Sequence, residues 1–246
     1  MAEIPPPKAD LTTALALVFA AALPSLMAWL YFFVLVGNPG PDPLRQGVFG
    51  VGKFVQFAFP LVFVWFWHGR RPRPSWPSMA GLTLGLAFGL VVAASVFTLY
   101  FGWLRHSSLL GGTPALLRRV LGSFGVAGGA RYLVLALFYV AAHSLFEEYY
   151  YRWFLFGRLR AFLSLWPALA LSSLVFMAHH VILLSDYLPG QFWTAVVPLS
   201  ICIAVGGGVW AWLYARTQSL YASWLSHAIV DAALFAVGWD LLQRGP

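Results

Sequence analysis

The segment Glu147-Glu148-Tyr-Tyr-Tyr-Arg152 places two adjacent carboxylates and an arginine inside an otherwise apolar stretch. Ionisable groups are costly at membrane depth, and those found there usually face a bundle interior or a wet cavity. Glu148 and Arg152 have i,i+4 spacing with the acid N-terminal, the favourable orientation for an ion pair within a helix. This pairing leaves Glu147 as the unbalanced acid. A carboxylate held among apolar walls is suited to act as a general base.

Two later apolar segments carry the remaining polar pairs. His180 follows Phe176 by four residues and has His179 beside it, and His227 and Asp231 are also four residues apart. Residues at this spacing project from one face of a helix. Because buried polar groups need hydrogen-bond partners, three helices packed on these faces would collect the side chains in one intramembrane cavity.

Each feature alone has a simpler explanation. A single histidine on an apolar helix is more often a packed core residue, and Glu148–Arg152 alone is more often a structural ion pair. His143, which shares a face with Glu147, is by itself a packing partner. Lys53, near the end of its predicted span, can extend its amine to the membrane surface. The occurrence of all three pairs in the second half of one chain favours a site.

The composition describes the surroundings of these residues. The chain has 246 residues, of which 61% are hydrophobic and 9% charged, whereas soluble domains carry about 25% charged residues. The chain is therefore expected to be a multi-pass protein of the lipid bilayer. Its net charge of +7 is scattered over short segments, and nucleic-acid binding would want a continuous basic face. No nucleic-acid partner is expected.

Apolar length and punctuation by proline, glycine and charge predict an all-α bundle of about seven transmembrane helices, since a span needs about 20 residues. The predicted spans are Leu11–Val36, Val48–Trp67, Met79–Phe101, Tyr132–Phe156, Leu165–Leu184, Phe192–Tyr214 and Leu220–Trp239. Residues 1–246 then form one integral membrane domain, with a protease-type core over about 132–240. The preceding part, 1–131, holds three spans and a segment, Pro114–Leu121, that is either an interfacial helix or an ordinary loop helix.

Other local features have bland interpretations. Gly81, Gly85 and Gly89 form a small-residue stripe for close helix packing. Pro198 could kink the sixth span, and the glycines 206–208 could loosen it, although tight packing is the simpler reading.

The single cysteine indicates no disulfide or metal chemistry, and the loop charges give opposing indications of membrane orientation. Cys202 is predicted to be a small buried core residue, with no disulfide and no cysteine metal site. The basic loop 68–73 favours a cytoplasmic position, whereas the arginines of the loop 102–131 oppose it. A small chain without a targeting signal points to a prokaryotic inner membrane.

The ordered motifs resemble those of the CAAX-protease and bacteriocin-processing family, also called the Abi family, of intramembrane glutamic endopeptidases. The motifs are Glu147-Glu148-Tyr-Tyr-Tyr-Arg152, Phe176-Met-Ala-His179-His180 and His227-Ala-Ile-Val-Asp231. The resemblance covers residues 133–234, while the first three spans match only in being hydrophobic. Any one motif is weakly specific, but the ordered trio on separate spans of a small membrane protein is specific.

The resemblance implies hydrolysis of a peptide bond within or at the edge of the membrane, without a metal or other cofactor. By similarity, Glu147 is the general base and His180 helps to hold and activate the attacking water. His227 and Asp231 stabilise the oxyanion. Such chemistry needs a base within hydrogen-bond reach of the water and donors preorganised for the developing charge.

Four further residues have supporting roles in this scheme. Glu148 paired with Arg152 would lock the helix face that presents Glu147, and His143 and His179 are candidates to line the site.

The chain departs from the family pattern at two positions. The last motif often ends in asparagine, which can donate to an oxyanion, whereas Asp231 stands here. Asp231 either carries a proton or orients and charges His227, and we favour the second reading. Trp153, preceded by a run of three tyrosines and the motif arginine, stands where glycine is common, which puts transfer of substrate preference in doubt.

Several functions stay open at this point. The substrate would be a membrane-anchored protein or peptide, with either a prenylated C-terminal CAAX sequence or a bacterial C-terminal sorting signal, and chain size favours the second. The alternatives are a zinc metalloprotease using Glu147, His180 and His227, a non-catalytic protein for bacteriocin immunity or partner binding, and a proton-relay transporter.

Overall fold

A computed structural model describes residues 9–35, 42–68, 75–126 and 128–244, and the regular elements in these ranges are all helical. Within these ranges, seven helices are long and apolar enough to cross a membrane. The helices are α1 (Leu11–Val34), α2 (Pro43–His68), α3 (Met79–Gly102), α4 (Thr113–Ser123), α5 (Gly129–Leu159), α6 (Leu165–Tyr187), α7 (Phe192–Thr217) and α8 (Leu220–Gln243), and all but α4 are candidate spans. The prediction of an all-α bundle of about seven spans is confirmed.

Helix α2 begins earlier than the hydropathy pattern predicted. The Asp42 side chain accepts a hydrogen bond from the Arg45 amide at 3.1 Å, and Pro43 follows as the first helical residue. An aspartate cap followed by proline is a favourable helix start. The helix therefore extends to Pro43 rather than to Val48, and Lys53 lies near its middle. The prediction that Lys53 is near a span end was wrong.

The glycine stripe of α3 forms the contact with α8. A β-carbon at Gly85 would collide with the backbone carbonyl of Ala222, and one at Gly89 would lie 3.1 Å from the Ile229 side chain. Small residues at a helix interface allow two backbones to approach closely, which is a main source of helix association in membranes. The packing role predicted for the stripe is confirmed.

Helix α7 runs without interruption through its three glycines. The helix is α-helical over Val197–Thr217, and Pro198 stands at the start of this stretch, directly after a π-helical turn. A β-carbon at Gly207 would lie 3.1 Å from the Phe176 ring of α6. The glycines therefore permit close packing of α6 and α7, and no unwinding occurs at 206–208.

Two further expectations have different outcomes. The helix predicted within the long connection is α4, and the Arg118 side chain donates to the carbonyl of Leu242 at 3.1 Å, which ties α4 to the end of α8. Cys202 is exposed, so the prediction that it is buried was wrong. Lipid tails accept the same apolar side chains as a protein core, so hydropathy does not separate the two environments.

The structure does not describe two segments that the sequence analysis considered. Residues 69–74, which hold most of the predicted cytoplasmic loop, and residues 1–8 lie outside the described ranges.

The core of the bundle surrounds the middle of α5. Tyr150, Tyr151 and Phe154 are fully buried there, and the Tyr150 hydroxyl donates to the carbonyl of Ala20 on α1 at 2.7 Å. The run of tyrosines thus packs α5 against its neighbours. This contact holds α5 in the bundle at the level of its acidic pair.

Candidate active site

The acidic pair lies on a short α-helical turn between two wider stretches of α5. The turn is Ser144–Glu148, and the π-helical stretches are Phe138–His143 and Tyr149–Phe156. A π-helical turn shifts the side chains that follow it around the helix axis, and such turns are frequent at functional sites. Glu147 is 5% exposed and Glu148 is fully buried.

Glu148 connects α5 to α8. Its carboxylate lies 3.3 Å from Nε of Arg152, which is the predicted i,i+4 ion pair, and both side chains are fully buried. The Nδ1–H group of His227 donates to its other oxygen at 2.9 Å. Each carboxylate oxygen of Glu148 therefore has a partner. The i,i+4 spacing predicted the contact with Arg152, whereas nothing in the sequence predicted the contact with His227.

His227 is held by three contacts. Its Nδ1 atom bonds to Glu148, its Nε2 atom lies 3.6 Å from the Asp231 carboxylate, and its ring stacks on Trp210 at 4.1 Å between centroids. Trp210 is itself fixed, because its indole N–H donates to Ser226 at 3.0 Å. The sequence paired His227 with Asp231, and the structure adds Glu148 as the closer carboxylate.

Among the residues that the structure describes, Glu147 has no partner as close as these. Its carboxylate oxygens lie 3.9 Å from Nε2 of His143, 3.8 Å from Nε2 of His179 and 3.7 Å from Nε2 of His227. These distances exceed that of a direct hydrogen bond, and gaps of this size are commonly bridged by water. One buried carboxylate is thus surrounded by imidazoles from α5, α6 and α8.

The adjacent histidines of α6 have different settings. Nδ1 of His179 lies 3.1 Å from the Tyr151 hydroxyl, so its Nε2 atom turns toward Glu147. His180 donates from Nδ1 to the carbonyl of Phe176 at 2.9 Å, which leaves Nε2 of the neutral ring unprotonated. The family resemblance assigned water activation to His180, but the α6 histidine found 3.8 Å from the Glu147 carboxylate is His179.

Phe176 explains why the second motif contains an aromatic residue. Its ring lies 4.7 Å from the Arg152 guanidinium and 4.7 Å from the His180 ring centroid. Trp210 lies 5.5 Å from the same guanidinium. A cation over aromatic faces is stabilised by the ring quadrupoles, more strongly when water is excluded.

Sequence reasoning missed Tyr151 and Trp210. Tyr151 stands four residues after Glu147, so the spacing that identified the other pairs could have identified it. No such signal in the sequence points to Trp210. The predicted site rests on pairs of ionisable residues, and α7 has none at the depth of the site.

The described residues contain no group of three His, Cys, Asp or Glu side chains arranged to hold a metal ion. Glu147, His180 and His227 belong to the candidate site, but their side chains are not arranged as a set of zinc ligands.

Comparison with known families gives one match. Residues 129–233 match the model of the family described as type II CAAX prenyl endopeptidase Rce1-like. The matched range includes Glu147, His180, His227 and Asp231, and the resemblance drawn from the motifs is confirmed. Neither the curated proteins nor the solved structures gave a match to the chain.

Proposed function

The chain carries an Rce1-like domain of the type II CAAX prenyl endopeptidase family over residues 129–233, and from this we propose that Glu147 activates the water that hydrolyses the peptide bond. The family supports a CAAX-type intramembrane endopeptidase, and the seven apolar helices agree with an integral multi-pass membrane protein. The mechanism and the substrate are our proposal.

The observation that carries the proposal is the difference between the two adjacent acids. Arg152 and His227 contact Glu148 at 3.3 and 2.9 Å, whereas the charged-group contacts of Glu147 within the described residues are to imidazole nitrogens at 3.7 to 3.9 Å. A carboxylate neutralised by a buried arginine is a poor base, and one without such a partner is free to accept a proton. Glu147 is therefore the better candidate for the general base.

In the proposed reaction Glu147 takes a proton from water as the water oxygen attacks the scissile carbonyl. The carbonyl π electrons move to the oxygen and form a tetrahedral intermediate. When the carbon–nitrogen bond breaks, the proton on Glu147 passes to the leaving amine. We keep for His180 the role that the family resemblance implies, which is to accept a hydrogen bond from this water through its unprotonated Nε2 atom, and its Nδ1–H bond to the Phe176 carbonyl fixes the ring for that role.

His227 is the proposed donor to the oxyanion. Its Nδ1–H group donates to Glu148 at 2.9 Å, and its Nε2 atom lies 3.6 Å from Asp231 and 3.7 Å from Glu147. In this role the ring carries a second proton, on Nε2, directed at the side of the site where Glu147 lies. A fixed donor in a site without bulk water stabilises developing negative charge strongly.

The proposed substrate is a membrane-anchored protein or peptide with a prenylated C-terminal CAAX motif. The description of the matched family favours this class over a bacterial sorting signal. The sorting signal remains the second candidate substrate.

The test is a cleavage assay with wild type and Glu147→Gln reconstituted in the same liposomes. The probe is a farnesylated peptide that ends in cysteine, valine, isoleucine and methionine, with products identified by mass spectrometry. We expect the variant to lose about 10²- to 10⁴-fold in rate, the usual contribution of general base catalysis. The matched control is Asp186→Asn, which removes a carboxylate near the C-terminal end of α6, seven residues after His179.

Three outcomes would contradict the proposal. Equal cleavage by wild type and Glu147→Gln would show that Glu147 is not the general base. Loss of wild-type activity in a metal chelator, with recovery on adding zinc, would favour a metalloprotease. A protein for immunity or partner binding would show no cleavage, and its phenotype would tolerate the nearly isosteric glutamine.

A further inference from the structure

Lys53 is a cation in the middle of a membrane-spanning helix. It lies ten residues after the start of α2, or about 15 Å along the helix axis. Its ammonium lies 5.8 Å from the ring centroid of Phe49 and 5.5 Å from that of Phe57, and the residue is half-buried. In the described ranges no carboxylate forms an ion pair with it.

A cavity of about 470 Å³ lies between α2 and α5, and Lys53 is part of its wall. Phe57, Phe138 and Phe146 contribute aromatic surface, and His143 closes the side toward the acidic pair. The Nε2 atom of His143 is 3.9 Å from Glu147. The cavity therefore adjoins the site at which the proposed base acts.

Lys53 is linked to this site through the aromatic side chains of the cavity wall. The Phe57 ring that contacts Lys53 is 5.9 Å from the His143 ring. Three extended residues span about 10 Å, and a tripeptide bound in the cavity would lie along the wall that holds both His143 and Lys53.

An aromatic cavity with one cation suits a short apolar peptide that ends in an anion. The part of a CAAX motif after its cysteine has two aliphatic side chains and a free α-carboxylate. We infer that Lys53 binds the C-terminal carboxylate of the substrate while the aromatic wall receives the aliphatic side chains. This inference rests on the proposed function and adds to it the group that selects a chain terminus.

A purely structural lysine would be expected elsewhere. A lysine near a helix end extends its amine to the interface, whereas Lys53 lies at mid-helix against two phenylalanine rings. Lys53 is half-buried, and a cation partly withdrawn from water is stabilised by an anionic partner, which a bound carboxylate would supply. The site would thereby distinguish a C-terminus from an internal peptide segment by charge.

The test compares the farnesylated peptide as its free acid with the same peptide as its C-terminal amide. Wild type, Lys53→Met, Lys53→Arg and Arg45→Met are assayed for kcat/KM in liposomes. Arg45 is the matched control, because it lies on α2, its guanidinium packs on Tyr31 at 4.0 Å, and it is not one of the residues that line the cavity.

We expect wild type to prefer the acid by about 10-fold or more, the usual advantage of a hydrogen bond to a charged group. Lys53→Met should cleave the acid no faster than the amide, mainly through a higher KM, and should cleave the amide within about twofold of wild type. Lys53→Arg and Arg45→Met should keep the preference.

Each other outcome overturns the inference. Equal cleavage of acid and amide by wild type removes carboxylate recognition while the proposed function stands. If Lys53→Met keeps the full preference for the acid, another group recognises the carboxylate. If Lys53→Met lowers kcat/KM equally for both peptides, the role of Lys53 is structural. If wild type cleaves neither peptide, the proposed function fails and takes this inference with it.

Discussion

Replacement of Glu148 by glutamine should destabilise the protein far more than the same replacement at the neighbouring Glu147. Glu148 is fully buried, 3.3 Å from the Arg152 guanidinium and 2.9 Å from Nδ1 of His227. Glutamine keeps the shape and one acceptor but removes the charge. Arg152, also fully buried, would lose its ion-pair partner in Glu148→Gln.

The magnitude follows from these contacts. Breaking a buried ion pair by removing one partner costs about 3–5 kcal/mol. The charge-assisted bond to His227 belongs to the same network, so its contribution is contained in this figure rather than added to it. At about 1.4 kcal/mol per tenfold change, the folded-to-unfolded ratio should fall by roughly 100- to 4,000-fold. Glu147, with no contact shorter than 3.7 Å to an imidazole, should change by about 1 kcal/mol or less.

The assay is reversible unfolding in mixed micelles, with SDS as the denaturant and tryptophan fluorescence as the signal. The chain has 12 tryptophans, and Trp210 stacks on the histidine bonded to Glu148. The double variant Glu148→Gln/Arg152→Met serves as the control. Since it removes both charges, it should recover at least about 2 kcal/mol relative to Glu148→Gln.

Two results would refute this reasoning. The first is a Glu148→Gln variant as stable as wild type, which would mean that the Arg152 charge is compensated elsewhere. The second is equal destabilisation by Glu147→Gln, which would mean that the two acids share the structural role. Either result would also weaken the assignment of Glu147 as the free base.

The other predictions concern the support of the site. Tyr151→Phe removes the hydroxyl bonded to His179, and kcat should fall about 10-fold as that ring loses its fixed orientation; Tyr150→Phe, equally buried, should lower stability alone, as the peptide assay and SDS unfolding would show. Gly85→Leu should force α3 from the Ala222 backbone and cost about 1–3 kcal/mol in the same unfolding experiment, and unchanged stability would contradict the close packing of α3 and α8.

The spans could be predicted because their signals are local. Apolar length and flanking polar residues predicted the starts of α1, α3, α6, α7 and α8 at the residues observed. The side-chain spacing likewise predicted the Glu148–Arg152 ion pair, since residues four apart meet on any helix. These features depend only on each helix by itself.

Two other features could not be predicted in the same way: which side chains face lipid rather than the core, and where α2 begins. Cys202 was expected inside and is exposed, and Lys53 was expected near a span end and lies at mid-helix. Hydropathy is the same for a side chain that contacts lipid and one that contacts the core. The start of α2 depended on a cap, Asp42, that precedes the apolar run.

The sequence alone determined which residues can share the site, because periodicity assigns each polar side chain to a face of its own helix. Only the tertiary structure decided how these faces meet. It places His227 closer to Glu148 than to Asp231 and directs His179 at Glu147. The reason is physical: these contacts depend on the rotation and depth of α5, α6 and α8 relative to one another, and the period of a single helix contains no information on either quantity.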